Sequence, residues 1–328
     1  MSRLFFVPQL PVSMRYSSWW FTEIKKSMKK YFDEVIVLGD SVVGQMERLS
    51  DEGLFAPIKL AINFECSQIA DFQNYEIQDD DVLFLADLSF PGIFTNVLFH
   101  KRVKNAYAFC HATSLNAYDY FQPVRRTKWP VERDHGRLFK KVFVGSNYHW
   151  HKLVNRGWKE NNIELLRLPL PPHKMFPGLK KKHEVVSVSR PSIQKVNKKL
   201  ERAVEKELGI KIIHAHEVLE GNKSWNRYFR FLGESSVSLT TSHEETFGYQ
   251  VTDAVMNNCI PIAPNRCSYP ELLEDEYLYR SHDECIDKVI QALNSHGIPQ
   301  IKTRVMEECL NFYNNLAYEL MGENNYVD

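Results

Sequence analysis

At 328 residues, with 44% hydrophobic and 25% charged residues, the chain is long enough for two ordinary domains and reads as a soluble globular enzyme. Its 41 basic residues balance 41 acidic ones, which excludes a strongly basic nucleic-acid binder or an acidic tail at the level of the whole chain. The six cysteines form no CxxC pair and no metal-like spacing, so they read as buried, reduced thiols of a cytoplasmic protein. Met1–Leu10 is interrupted by Pro8 and lacks the apolar core of a secretory leader. No run approaches the ~20 apolar residues of a membrane span.

Leu4–Val7 reads as a strand, followed by the loop Pro8–Ser18, a helix over Trp19–Phe32 and a second strand over Glu34–Leu38. Strand, helix, strand at the amino terminus argues for a parallel, doubly wound sheet. Trp19, Trp20 and Phe21 fit helix packing better than base stacking. Lys59–Phe64, Asp81–Leu85 and Asn105–Phe109 are further strand candidates, and His111 stands just past the last of them. Residues 114–137 read as irregular, with Tyr118, Tyr120, Arg125, Arg126, Trp129 and Arg133 interleaved. That mixture suits stacking on and neutralising a nucleic acid, an ordinary acceptor loop, or a helix-packing insert.

Lys141–Val144 is the next strand, and Ser146 is an N-cap candidate for a helix. Glu164–Leu168 is a short strand. The proline-dense stretch 169–183 reads as a linker between a first domain, 1–168, and a second, 184–328. Val185–Val188 opens the second domain. Arg190 and Lys195 follow, and a helix runs to about Leu208. Ile210–Ile213 is a strand, and the His214–x–His216 pair beyond it has too few acids for a metal site. Trp225–Leu232, His282–Leu293 and Lys302–Leu320 read as helices, and Glu276–Tyr279 as a strand.

The densest signal lies in residues 236–273. Val237–Thr241 reads as a buried strand, Ser242–Thr246 as a polar turn, Tyr249–Asn257 as a helix and Cys259–Ala263 as another strand. Gly248 stands where the helix begins, so backbone N–H groups there can meet an anion. Glu245 precedes this point and Asp253 lies about two turns inside the helix. Two carboxylates therefore bracket a phosphate-accepting helix end, which suits a sugar nucleotide; an acidic loop followed by a solvated Asp is the plainer alternative.

Glu245, Phe247-Gly248, Asp253, Ile260-Pro261-Ile262 and Pro270-Glu271 resemble the Glu-x7-Glu signature of the large GT4-like group of retaining GT-B glycosyltransferases. The resemblance implies an α/β GT-B fold of two Rossmann-like domains facing a central cleft, with the final helix returning to the first domain. It implies that Glu245 contacts a donor sugar and that Thr246, Phe247, Gly248 and Tyr249 line the sugar and diphosphate. Asp253 takes the place that holds the ribose hydroxyls, but as Asp rather than Glu it is one methylene shorter. Arg190 and Lys195 keep the Arg-x4-Lys spacing whose cations hold the diphosphate, and His111 matches a histidine beside the transferred sugar. The first loop departs from the pattern: Pro11–Tyr16 carries no glycine, and Arg15 enters as an acceptor or phosphate contact, with Arg125 and Arg126 as further acceptor residues.

The implied activity needs no metal and no cofactor beyond a UDP- or GDP-sugar donor. Pro264-Asn265-Arg266, Tyr269-Pro270-Glu271 and Glu276-Tyr277-Leu278-Tyr279 look closest to the branch containing the tRNA-queuosine mannosyltransferases, and the same general fold serves phage enzymes that glycosylate DNA bases. The favoured acceptor is therefore a hydroxyl on a modified nucleobase in DNA or tRNA. A glycan or lipid acceptor, and an inactive nucleic-acid-binding GT-B protein, are the alternatives.

Overall fold

The computed structural model describes residues 2–12, 14–40, 58–101, 103–221, 224–295 and 297–322. Ser13 of the glycine-free first loop lies outside the described residues. The chain divides into two compact units, Met1–Pro169 with Leu310–Asp328, and Leu170–Cys309.

In the first unit, β1 (Arg3–Val7), β2 (Glu34–Val37), β3 (Val82–Leu85), β4 (Asn105–Phe109), β5 (Lys141–Val144) and β6 (Ile163–Leu165) form one sheet in the order β2-β1-β3-β4-β5-β6. Every pairing is parallel. The strands are short, nearly unbroken apolar runs because helices bury both faces. Phe5, Leu83, Ala108 and Val142 line one face with Phe72, Phe94 and Trp158. The helix Phe312–Met321 belongs to this unit: Phe312 packs on Trp20, and Lys141 pairs with Glu319 at 2.6 Å.

In the second unit, β7 (Lys182–Ser187), β8 (Ile213–His214), β9 (Ser235–Leu239), β10 (Ile260–Pro264) and β11 (Leu278–Tyr279) run in the order β11-β10-β9-β7-β8, again all parallel. Both sheets thus repeat one winding, in which the first strand lies between the second and the third. The order reverses between β1 and β3 in one unit and between β7 and β9 in the other. Crevices at the carboxyl ends of such strand pairs are where open α/β sheets bind ligands.

Several sequence expectations are corrected. Lys59–Phe64 is not a strand but lies in the helix Ile58–Gln73. Ala61, Phe64, Gln68 and Phe72 face inward at helical spacing, and the polar Gln68 in that stripe hides the period. Residues 114–137 are not irregular throughout, because Arg125–Gly136 is a helix with Pro130 inside it. Its buried face is polar: Glu132 accepts from Ser114 N and Oγ, His135 Nδ1 lies 2.7 Å from Thr95 Oγ1, and Gly136 sits against Trp158. Ile210–Ile212 precedes β8 instead of forming it, since Gly209 in the left-handed region (φ 65°) caps the preceding helix and turns the chain. The last long helix is two, Thr303–Leu310 and Phe312–Met321. All six cysteines are free, but Cys66 is exposed and Cys267 partly so. β7 begins at Lys182, inside the expected linker.

Among the described residues no helix is long and apolar enough to cross a membrane.

Candidate active site

The loops that leave β7 and β9 converge at the strand-order reversal of the second unit. Beyond β7, Lys195 N bonds to Ser192 O in a turn, and Asn197 caps the helix Lys198–Leu208 by accepting from Leu200 N. Asn197 N in turn donates to Thr241 Oγ1, and His243 N to Gln194 O. The two loops are therefore stitched together before any ligand is considered.

Lys195 Nζ lies 2.8 Å from Glu245 Oε2 and 3.0 Å from Glu244 O. The two side chains keep only 12% and 15% of their surface exposed. Burial would push the Glu245 carboxyl up, but the Lys195 ammonium and the Thr246 and Phe247 N–H groups outweigh it and hold the pKa below the usual carboxylate range. Glu245 is therefore ionised at neutral pH, and each of its oxygens retains acceptor capacity.

Gly248 precedes the helix Tyr249–Met256 with φ 112°, a conformation that L side chains rarely adopt. A Cβ there would lie 3.0 Å from Leu272 Cδ1 and 3.2 Å from Tyr269 Cε1. Phe247 is buried beneath the turn, its carbonyl accepting from Ser268 Oγ at 2.7 Å. The half-buried Tyr249 ring stands 5.1 Å from that of Phe247. Lys195, Glu245, Thr246, Phe247, Gly248 and Tyr249 are thus brought together. Arg190, half-buried, stands on the same β7 loop.

Asp253 points into the interior and is only 4% exposed. Tyr228 OH donates to Asp253 Oδ2 at 2.9 Å, while Oδ1 has no hydrogen-bond partner among the described residues. Burial pushes this carboxyl up to about 7, the Tyr228 bond offsetting part of the rise. Tyr228 sits in the helix Trp225–Glu234 beside Trp225 and Phe229, the two rings that His173 packs on. Sequence reasoning missed this partner, since Tyr228 lies in an aromatic run that reads as core.

The first unit gathers a second set of groups at its own strand ends. His111 follows β4, its Nε2 lying 3.0 Å from Ala86 O and its ring stacked on Phe109 at 4.6 Å. Trp20 and Tyr16 flank it at 5.1 and 4.9 Å. Burial pushes its pKa down to about 3, against a small opposing effect of the Ala86 carbonyl, so the ring is neutral. Arg15, the residue before the helix Tyr16–Met28, is half-buried beside this group. Asp87, two residues past β3, accepts from Gln9 Nε2 at 2.6 Å and from Ser89 N and Oγ, and burial raises it to about 7. Asp87 ends a strand without any motif around it and was not foreseen. Arg125 and Arg126 are exposed at the start of their helix, and their side chains make no ion pair or hydrogen bond with a described residue.

Among the described residues, no three metal-ligating side chains converge.

Set against known proteins, the chain matches no family model. Over 143 residues it is 29% identical to a tRNA-queuosine alpha-mannosyltransferase of Drosophila melanogaster. That match takes in 44% of this chain and 36% of the relative, so only about a third of the relative's length is represented. Among solved structures, Alr3699/HepE of Anabaena in complex with UDP and glucose superposes with a TM-score of 0.60 at 13% identity, over 97% of this chain and 95% of that one. The lipopolysaccharide outer core galactosyltransferase WaaB gives 0.59 at 13% identity, over 98% of both chains. Likeness at this level carries the fold: two parallel-sheet α/β units of the GT-B kind.

Proposed function

We propose that this chain is a retaining glycosyltransferase of the cytoplasm, moving a sugar from a UDP- or GDP-sugar to a hydroxyl on a modified nucleobase in DNA or tRNA. The observation that carries the reading is the buried Lys195–Glu245 pair at the strand-order reversal, beside the helix start at Gly248. A cation from the β7 loop, set against an ionised carboxylate and a positive helix end on the β9 loop, suits a ligand that is anionic at its centre and hydroxylated at its end. The match to the queuosine mannosyltransferase supports the nucleobase acceptor.

In this reading Arg190 and Lys195 hold the donor diphosphate, Arg by a planar fork and Lys as a point charge. Glu245, with Thr246, Phe247 and Tyr249 around it, orients the sugar. Asp253 reaches the ribose hydroxyls through the oxygen that Tyr228 leaves unused. As the bond from sugar to phosphate lengthens, the sugar becomes oxocarbenium-like and negative charge grows on the departing diphosphate. The two cations and the helix start stabilise that charge where it develops. Glu245 is not assigned as a covalent nucleophile; the acceptor hydroxyl attacks from the face the diphosphate leaves, and its proton passes to the departing phosphate oxygen. His111, a neutral ring, hydrogen-bonds near the transferred sugar, and Arg15, Arg125 and Arg126 serve the acceptor. No metal takes part.

The test is a thermal-shift panel of UDP, GDP and their sugars with and without Mg²⁺, followed by transfer assays on modified DNA and on tRNA. A metal-independent shift with one diphosphate names the base, and transfer to a nucleic acid confirms the acceptor. Transfer to glycan or lipid alone would replace the acceptor class, and no shift with any nucleotide would remove the donor site.

A further inference from the structure

Gln250 hydrogen-bonds to three separate loops through one amide. Its Oε1 accepts from Ser189 Oγ at 2.7 Å. Its Nε2 donates to Ser242 Oγ at 3.1 Å and to Tyr269 OH at 2.5 Å. Ser189 directly precedes Arg190 on the loop beyond β7, Ser242 stands at the start of the Glu245 turn beyond β9, and Tyr269 lies beyond β10. Ser242 extends the set, its Oγ donating to Lys195 O at 3.2 Å and its own carbonyl accepting from Arg266 Nη2 at 2.9 Å. Ser189 is 5% exposed, and Ser242 and Tyr269 are fully buried.

A primary amide offers one acceptor oxygen and two N–H donors in a fixed plane. Here the oxygen and the nitrogen face different loops, so the amide plane sets the distance between the Arg190 side and the Glu245 side. Lys195 and Glu245 already touch, whereas Arg190 must reach the same diphosphate from five positions upstream. Misplacement of one such arm by an ångström is enough to lose much of a binding geometry.

We infer that Gln250 is a positioning residue, holding the Arg190–Lys195 loop and the Glu245 loop at the spacing a nucleoside diphosphate requires. This rests on the donor-site reading above. Gln250 touches no ligand in this role and acts through Ser189, Ser242 and Tyr269.

The experiment compares Gln250→Met, Ser189→Ala and the double variant with wild type by isothermal titration of UDP, UMP, GDP and GMP, at a temperature where circular dichroism shows each folded. Methionine keeps the length of the side chain and removes its polar ties. The expected result is about tenfold weaker binding of the diphosphate by Gln250→Met, the scale of one or two lost hydrogen bonds, with the monophosphate little changed. Ser189→Ala weakens the diphosphate less, and the double variant is no weaker than Gln250→Met, because both changes cut one connection. A general loosening of the unit would instead weaken mono- and diphosphate alike, and that result overturns the assignment. Unchanged diphosphate binding, or additive losses in the double variant, overturns it too. If Gln250→Met does not fold, Ser189→Ala carries the same comparison alone. Wild-type protein that binds neither UDP nor GDP removes the donor site and this assignment together; wild-type binding that the variants retain removes this assignment only.

Discussion

The Lys195 ammonium and the Glu245 carboxylate meet at 2.8 Å with about seven-eighths of each side chain out of water, the exposed fractions being 12% and 15%. Neither charge is comfortable there without the other, since removing one partner of a buried pair costs about 3 kcal/mol or more. Lys195→Ala and Glu245→Ala should each abolish sugar transfer, and Lys195→Ala should also lower Tm at neutral pH. The sign with pH follows from the pair. In the wild type the Glu245 pKa is depressed, so its stabilising contribution is present above the unfolded value of about 4.3 and fades as pH falls through the folded one. In Lys195→Ala only the Thr246 and Phe247 N–H groups still oppose burial, so that pKa rises relative to the wild type and acid relieves the variant. The Tm gap between wild type and Lys195→Ala should be widest near neutrality and shrink toward acid; a gap that widens in acid would refute the pairing.

Asp253 behaves in the opposite sense. Its folded pKa is raised to about 7 by burial, against about 3.9 unfolded, so between those values the folded state binds the extra proton. Stability from this group therefore falls as pH rises from about 4 to about 7. Asp253→Asn should raise Tm at pH above 7 and flatten this slope, while weakening nucleotide binding if Asp253 meets the ribose. A thermal melt series across pH, with and without nucleotide, reads both effects. An Asn variant no more stable than wild type above neutrality would mean that Asp253 is less isolated than its single Tyr228 bond implies.

The parts legible in the sequence are those with a regular period or a local motif. Apolar strands such as Phe5–Val7 and Val82–Leu85 announce themselves because both faces are buried. The turn from Glu245 to Gly248 is legible because a positive φ demands glycine at one position. What stayed hidden depends on polar groups facing inward. The helix Arg125–Gly136 buries Glu132 and His135, so it shows no hydrophobic stripe and Pro130 argues against it. The helix Ile58–Gln73 likewise buries Glu65 on Gly92 and Ile93 N–H. Tyr228, Asp87 and Gln250 take their meaning from partners far away in sequence, and no local pattern could supply those partners.

Gly248→Ala tests the turn itself. The new Cβ would crowd Leu272 and Tyr269 at 3.0 and 3.2 Å in a backbone conformation strained for any L side chain. The cost should be about 1–3 kcal/mol, seen as a lower Tm. The strain displaces the start of the helix, so binding of a nucleoside diphosphate should weaken as well. Normal binding with normal Tm would show that the turn tolerates a side chain and that the glycine has no structural role.

His111 gives a prediction about what pH does not do. Its Nε2 faces the Ala86 carbonyl and so carries the proton, and burial keeps the ring neutral down to a pKa of about 3. His111→Gln should lower the transfer rate, by about a hundredfold if the ring stabilises developing charge. The inflections of the pH–rate profile between about pH 5 and 8 should stay where they are in the wild type, because an unperturbed histidine titrates near 6.5 and this one does not. An inflection that disappears in the variant would assign His111 a proton-transfer role that its surroundings oppose.

Arg125 and Arg126 differ from the arginines at the other end of their helix and at its C-cap. Arg133 and Arg137 both pair with Asp134 at 3.3 Å, whereas the side chains of Arg125 and Arg126 meet no acid among the described residues. Just before them Tyr120 is 61% exposed, its ring held edge-on by Phe90 and Phe121 at 6.2 and 5.2 Å. Ser89 Oγ bonds to Ala112 O, tying the loops after β3 and β4 together, so this surface lies at the same strand ends as His111. Two unpaired cations beside a pre-ordered aromatic ring suit the backbone and bases of an unpaired strand. Arg125→Ala with Arg126→Ala should weaken binding of a single-stranded acceptor and reduce the dependence of log K on log salt by about 1.4, the release expected for two phosphate contacts. Tyr120→Ala should weaken it by about tenfold without changing that slope. Fluorescence anisotropy at several salt concentrations separates the two effects. Variants that bind as wild type does, while transfer to nucleic acid persists, would place the acceptor on another surface.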